Sequence, residues 1–240
     1  MNKISVVVTA YNEEGRIEDL FRLVNQLGSL IPSIDEFVIV NNGSTDSTLS
    51  EIQHWINIFP DLNTRLIILE KNCGYGGGLK TGILISRYET VMLLPADGKY
   101  KSEDIHKVVA EYQTVNDIKL LVKGIRIQRN DPLKIQFLSQ GLTFLCNVLF
   151  RTNLKDTNGL PKIFHKGLIL NDVKELSSSG CFDATLCASW NKQNGKFKEI
   201  EVFFLQNNKA SWQGKSVTFV ALRIIIELCQ FKLSRLRNKK

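Results

Sequence analysis

Short runs of consecutive apolar residues alternate along the chain with stretches whose apolar residues recur every three or four positions. Residues 4–9 (ISVVVT), 36–40, 65–69 (RLIIL) and 90–94 (TVMLL) read as buried strands. Between them, residues 13–27 place Ile17, Leu20, Phe21, Val24 and Leu27 on one helical stripe. Residues 45–58 read as a helix opened by Ser, Thr and Asp capping residues, and residues 78–87 as a helix after a glycine run. Near-continuous apolar strands alternating with helices predict an α/β fold, a mostly parallel sheet covered on both faces. Beyond residue 100 the pattern loosens. Residues 119–123 and 199–205 read as strands, and residues 133–151 and 182–194 as helices. Residues 217–231 (VTFVALRIIIELCQF) form an amphipathic helix, with Arg223 and Glu227 four apart on one face. No stretch reaches the roughly 18 uninterrupted apolar residues of a membrane span. Residues 217–231 come closest. No repeat, linker or composition break appears, so the expected layout is one domain over residues 1–215, then a helix and tail over 216–240.

Composition adds a charge question. Of 240 residues, 43% are hydrophobic and 23% charged, the balance of a globular chain rather than a disordered one. The formal net charge is +7, but +5 of it falls in residues 232–240, on Lys232, Arg235, Arg237, Lys239 and Lys240. The remaining 231 residues carry only +2. A nearly balanced domain with a basic end points to an anionic membrane surface rather than nucleic acid, since the basic residues are not interleaved with aromatics. The start, MNKISVVVTAYNEE, is too short in apolar residues for a secretory signal. Five cysteines (Cys73, Cys146, Cys181, Cys187 and Cys229) show no CxxC, which argues against zinc or a disulfide framework and for reduced thiols in the cytosol. The three tryptophans (Trp55, Trp190 and Trp212) read as packing residues.

Open α/β sheets bind ligands beyond the C-terminal ends of their strands. That gathers Tyr11-Asn12-Glu13, the segment Asn41 to Asp46, and Pro95-Ala96-Asp97-Gly98 into one crevice. Asp97 suits a Mg²⁺ or Mn²⁺ bridging to phosphates, or equally an Asp-Gly turn. Asp46 suits an acceptor for a base or ribose, or a helix N-cap. Residues 72–80 (NCGYGGGLK) bring backbone N–H groups to a helix start, as a nucleotide requires. The segment is neither a P-loop nor a dinucleotide fingerprint.

Together and in this order, VVVTAYNEE (residues 6–14), VNNGSTDST (40–48), NCGYGGGLKTGI (72–83) and LLPADGKY (93–100) resemble family 2 glycosyltransferases of the GT-A fold. KGIRIQR (123–129) and the segment 134–166 resemble the dolichol-phosphate mannose synthase branch, with Gly124/Arg126, Ser139/Gly141 and Asp156/Gly159 at its G-x-R, Ser-x-Gly and Asp-x-x-Gly positions. The resemblance implies a GT-A (Rossmann-like) sheet and sugar transfer from a nucleotide-diphosphate sugar, UDP- or GDP-linked, with a divalent cation and inversion. By position, Ala10, Tyr11, Glu13, Asn42, Asp46, Gly76 and Lys80 would surround the donor nucleotide. Asp97 would hold the metal, and Arg126 and Ser139 would meet a phosphate. Asp156 is the candidate carboxylate beside them. The family's usual Asp-x-Asp is here Pro95-Ala96-Asp97, with one acid. The branch's late arginine is replaced by Gln206, which leaves Lys209 as the substitute.

A hydroxyl acceptor needs a general base, whereas a phosphate acceptor is already ionised and needs cations. The Glu-Asp base motif of hydroxyl-glycosylating relatives does not occur; Gly180-Cys181-Phe182-Asp183 is its nearest match. The expectation is therefore a polyprenyl phosphate acceptor, with the enzyme peripheral on the cytoplasmic membrane face through residues 217–240. A membrane-protein partner or a homo-oligomer is the alternative attachment. A saccharide-hydroxyl acceptor and a non-catalytic nucleotide-sugar binding subunit are the competing functions.

Overall fold

A computed structural model describes residues 2–98, 100–115, 117–127, 132–203 and 217–237. Its first half runs β1 (Ile4–Ala10), α1 (Ile17–Leu30), β2 (Ile34–Asn42), α2 (Thr48–Ile58), β3 (Thr64–Leu69), α3 (Tyr75–Ile85) and β4 (Thr90–Pro95). The second half runs α4 (Ser102–Val115), β5 (Leu120–Ile127), α5 (Leu133–Phe150), β6 (Lys162–His165), α6 (Phe182–Lys192), β7 (Lys196–Phe203) and α7 (Val217–Arg237). The strands make one sheet in the order β3-β2-β1-β4-β6-β5-β7. All pairings are parallel except those of β6, which runs against both β4 and β5. This is the mostly parallel α/β sheet that the apolar runs predict.

The stripe on α1 is realised: Ile17, Leu20, Phe21, Val24 and Leu27 are all buried. The helix starts at Ile17 rather than residue 13, because Asn12 and Gly15 take positive φ and turn the chain first. α3 starts three residues before the predicted position 78. Its glycines enter the first turn, where side chains would not fit. A Cβ on Gly78 would collide with Thr9, and one on Gly82 with Val7, so the helix lies directly on β1.

Two elements go beyond the expectation. α4 buries Ile105, Val108, Val109 and Tyr112, a helical spacing. β6 is only four residues long, and its Lys162 is fully buried. The expectation that residues 217–231 come closest to a membrane span needs correction. α5 is the more apolar helix: its 18 residues average a hydropathy of 1.2, enough by length and composition to cross a bilayer, and only 17% of them are buried. Polar residues scattered through it (Gln136, Ser139, Gln140, Thr143 and Asn147) break up the apolar runs and hide this.

α7 packs against α5 and α6 through a small cluster of Leu142, Cys146, Cys181, Ala184 and Leu228. Cys146, Cys181 and Cys187 are buried, and burial raises their thiol pKa values to about 12, about 12 and about 11. α7 continues to Arg237. Arg235 turns inward, 8% exposed, pairing with Asp172 at 2.9 Å and covering the Phe231 ring. One of the five basic residues of the C-terminal end is thus spent inside the protein.

Candidate active site

The register of the sheet assembles the first half of the site. Ala10 lies beside Asn41 across β1 and β2, and Thr9 beside Pro95 across β1 and β4. The three strand ends therefore deliver Tyr11, Glu13, Asn42, Asp46 and Asp97 to one rim. Side chains lock the loops to each other. Asn12 receives the Thr45 N–H on Oδ1 at 2.9 Å, and Thr48 Oγ1 accepts the Glu13 N–H at 2.8 Å. Glu13 pairs with Arg16 at 2.6 Å. Tyr11 stays 41% exposed on the rim.

Asp46 is turned into this scaffold. One carboxylate oxygen accepts the Thr48 N–H at 3.0 Å, and the other accepts the Glu14 N–H at 3.3 Å. Burial works to raise its pKa, but the Thr48 hydroxyl, which also donates to it, and then these backbone N–H groups outweigh it and hold the group below the usual carboxylate value. Asn42 is likewise committed: its amide donates to Gly74 O at 2.9 Å and accepts the Cys73 N–H at 3.0 Å. It ties β2 to the glycine segment. Lys80 Nζ donates to Leu176 O at 2.9 Å and Ser178 Oγ at 2.7 Å. Gly76 lies against Ser177 so closely that a Cβ would collide with its carbonyl. Lys80 and Gly76 thus dock the glycine segment on residues 176–178.

Asp97 stands half-buried past β4, beside Gly98 with φ +63°. Among the described residues no group of three or more His, Cys, Asp or Glu side chains could hold a metal. A single strand-end carboxylate still fits a hard divalent cation that takes most of its oxygens from phosphates and water.

The second half of the site centres on Arg126 near the end of β5. Its Nε donates to Asp156 Oδ2 at 2.8 Å and its Nη2 to Asp156 Oδ1 at 2.9 Å, a two-pronged pair. The same Nη2 donates to Ser139 Oγ on α5 at 3.1 Å. Burial works to raise the Asp156 pKa, but Arg126 and then Lys123 overrule it and hold the carboxyl well below its usual range. A carboxylate held this way is a poor proton acceptor; its place is that of an orienting partner for Arg126. Asp183 is similarly taken: Lys162 Nζ donates to it at 2.6 Å, with both side chains buried. Tyr100 is buried. Burial raises its pKa, the charge of Arg126 opposes this, and the charges of Asp97 and Asp156 add to it. Lys209 lies outside the described residues, as does Trp212.

Between β5, α5 and α7 opens a chamber of about 320 Å³, whose polar lining is Arg126, Ser139, Asn158, Ser179, Arg223 and Glu227. Leu138, Leu142 and Ile224 also line the chamber and are shared with a trough of about 550 Å³ between α5 and α7. The trough is lined almost wholly by apolar side chains, Phe137, Phe144 and Ile225 among them. Arg223 was visible in the sequence only as an interruption of an apolar helix. Its approach to Arg126 depends on how α7 packs.

The family model "Glycosyl transferase family 2" matches residues 5–169. A dolichyl-phosphate beta-glucosyltransferase of Mus musculus is 32% identical over 264 residues, spanning 97% of this chain and 79% of its own. A Dictyostelium discoideum protein of the same name is 34% identical over 110 residues, 44% of this chain and 34% of its own. A dodecaprenyl-phosphate galacturonate synthase of Rhizobium johnstonii is 27% identical over 168 residues, 70% of this chain and 49% of its own. The chain spans a third to a half of the length of several of these curated relatives. Among solved structures, Mycobacterium tuberculosis glucosyl-3-phosphoglycerate synthase, crystallised with Mn²⁺, UDP and phosphoglyceric acid, superposes with a TM-score of 0.71. It shares 14% identity over 96% of this chain and 78% of its own, a likeness of fold.

Proposed function

The chain belongs to glycosyl transferase family 2, in the branch of its polyprenyl-phosphate relatives, and from that premise we propose that it moves a sugar from a UDP- or GDP-linked donor to a polyprenyl phosphate at a membrane surface. The observation that carries this reading is the two-part cavity. A phosphate monoester on an isoprenoid chain has an anionic head and a long apolar tail. The chamber offers Arg126 and Arg223 to the head, and the adjoining trough offers apolar walls to the tail.

The carboxylates near the chamber support the same acceptor. Asp156 is committed to Arg126 and Asp183 to Lys162, and Glu227, the acid on the chamber wall, faces Ser177 and Ser179, so none of the three stands ready as a base for a hydroxyl. An ionised phosphate requires no such base. Its oxygen attacks the anomeric carbon opposite the departing nucleoside diphosphate, with inversion. Arg126, fixed by Asp156 and Ser139, holds the attacking phosphate and offsets its repulsion from the donor diphosphate. Asp97 would hold a divalent cation, which supplies positive charge to the departing diphosphate when bound. On the donor side, Tyr11 and Glu13 form the rim for the nucleoside above Ala10, which is fully buried at the end of β1, while Asn42, Asp46, Gly76 and Lys80 keep the surrounding loops in place.

The exposed apolar side chains of α5 and α7 favour attachment to a membrane, for which we take the cytoplasmic face. Leu133, Phe137 and Phe144 are each about 70% exposed, and Phe219 is 64% exposed. Apolar surface of this kind inserts into the headgroup–acyl boundary.

The test is transfer from labelled UDP-glucose and UDP-galacturonate, the sugars that the relatives' names suggest, with GDP-mannose in parallel. Polyprenyl phosphate in mixed micelles and Mn²⁺ complete the assay. Label entering an organic-extractable lipid is the expected result. Label entering only a saccharide, or no turnover with any donor, would overturn the reading.

A further inference from the structure

α7 carries an acid in an unusual place. Glu227 lies one turn beyond Arg223, at the edge of the phosphate chamber, yet its carboxylate points at a loop of serines. Ser179 Oγ donates to Glu227 Oε1 at 2.9 Å and to Oε2 at 2.8 Å, and Ser177 Oγ also donates to Oε1. The two hydroxyls in turn hold the loop's backbone. Ser177 Oγ accepts the Ser179 N–H at 3.0 Å, and Ser179 Oγ accepts the Cys181 N–H at 3.1 Å.

This loop is the floor of the glycine segment. Ser178 O accepts the Gly77 N–H at 3.2 Å, and Ser178 Oγ accepts from Lys80. Gly74 and Gly76 press on the carbonyls of Ser178 and Ser177, where any Cβ would collide. A continuous chain of contacts therefore runs from α7 through three serines to residues 74–80. Asn42 extends it to the end of β2. The same helix presents Arg223 to the acceptor chamber.

We propose that Glu227 is a positioning residue for the donor: through Ser177 and Ser179 it sets the height of the glycine segment, so that seating α7 over the acceptor also seats the donor floor. This rests on the assignment of residues 74–80 to the donor side under the proposed function. Two consequences follow from the chemistry of the contact. A glutamine keeps one acceptor oxygen in the place of Oε1, which both serines reach, while it replaces the other oxygen with an NH2 donor and removes the charge. An alanine leaves both hydroxyls without that acceptor and frees the loop.

The experiment uses the full chain and measures UDP affinity with Mn²⁺ by calorimetry, GDP in parallel, together with separate KM values for donor and acceptor. Glu227→Ala is expected to weaken nucleotide binding and raise the donor KM about tenfold, within the usual range of coupling between sites. The acceptor KM is expected to stay within about twofold, because losing a negative charge beside a phosphate site does not weaken it. Glu227→Gln is expected to restore donor KM and affinity to within about twofold of the native chain. If Glu227→Ala does not fold, the Ser177→Ala/Ser179→Ala double variant removes the same contacts and carries the same expectation. Nucleotide affinity and donor KM unchanged in the alanine variants would overturn the inference and leave the proposed function standing. A native chain that binds neither UDP nor GDP would overturn the donor assignment and this inference with it.

Discussion

Removing either member of the Arg126–Asp156 pair gives the sharpest check on how the second half of the site is held. Asp156 is 6% exposed and receives three N–H groups of Arg126: Nε at 2.8 Å, Nη2 at 2.9 Å and the backbone N at 3.3 Å. Breaking a buried pair from one side leaves an uncompensated charge and costs about 3–5 kcal/mol. Arg126→Ala and Asp156→Ala should each fall in that range. At ~2–4 °C per kcal/mol for a chain of this size, Tm drops by roughly 10 °C. The double variant buries no orphan charge, so its loss should be smaller than the sum of the two by at least about 2 kcal/mol. Urea denaturation of the native chain, both singles and the double measures this. Folding lowers the Asp156 pKa, so the unfolded chain binds that proton more readily. The pair's contribution is therefore complete above the unfolded carboxylate's pKa of about 3.9 and is lost as pH falls below it. Kinetically, Asp156→Ala should raise the acceptor KM more than the donor KM, because Arg126 loses its orientation. Additive stabilities in the double variant, with an unmoved acceptor KM, would refute the reasoning.

Three further outcomes are expected. Asp97→Ala should abolish transfer while leaving Tm within about 2 °C, and chelation of the native chain should do the same until Mn²⁺ is returned; activity surviving both would remove Asp97 as the metal ligand. Cys73 is exposed beside the glycine segment, whereas Cys146, Cys181 and Cys187 are buried with raised thiol pKa values, so a thiol reagent at pH 8 should label Cys73 well before these three, and saturating donor nucleotide should slow that labelling. Peptide mapping reads the order, and fast labelling of the buried three would contradict it. Phe144→Glu with Phe219→Glu, at sites 71% and 64% exposed, should cut flotation with anionic liposomes while leaving Tm nearly unchanged; undiminished flotation would rule out these faces as the attachment. This is a cleaner test than deleting α7, whose Leu228 and Phe231 belong to the cores.

The first hundred residues were legible because their information is local. Apolar runs of five or six residues specify β1 to β4, and a parallel sheet places their ends side by side. The loops after β1 and β2 therefore meet, Asn12 with Thr45 and Glu13 with Thr48. α4 carried a readable spacing in Ile105, Val108, Val109 and Tyr112. β6 did not, because a four-residue strand holding a buried lysine inverts the rule that charges face water. The roles of Lys80 and Glu227 were beyond sequence reasoning for a different reason. Lys80 meets partners 96 and 98 positions away, and Glu227 partners 48 and 50 away. Nothing periodic connects them. Asp46 shows the opposite case: its two readings were both open, and the structure gives its carboxylate to Thr48 and Glu14.

The position of β6 also bears on how such chains can be recombined. The parallel strands β1 to β4 come from residues 4–95 without interruption, and the sheet changes direction only at the short β6, which runs against β4 and β5. A junction after residue 95 would look like a natural place to graft a new acceptor half onto an old donor half. The seam does not follow the sheet, however. Residues 74–80 rest on Leu176 and Ser178, which belong to the other half, so a chimera cut at β4 would part the glycine segment from its floor. Acceptor preference can drift freely along α5 and α7 only while residues 176–179 travel with the donor half they support.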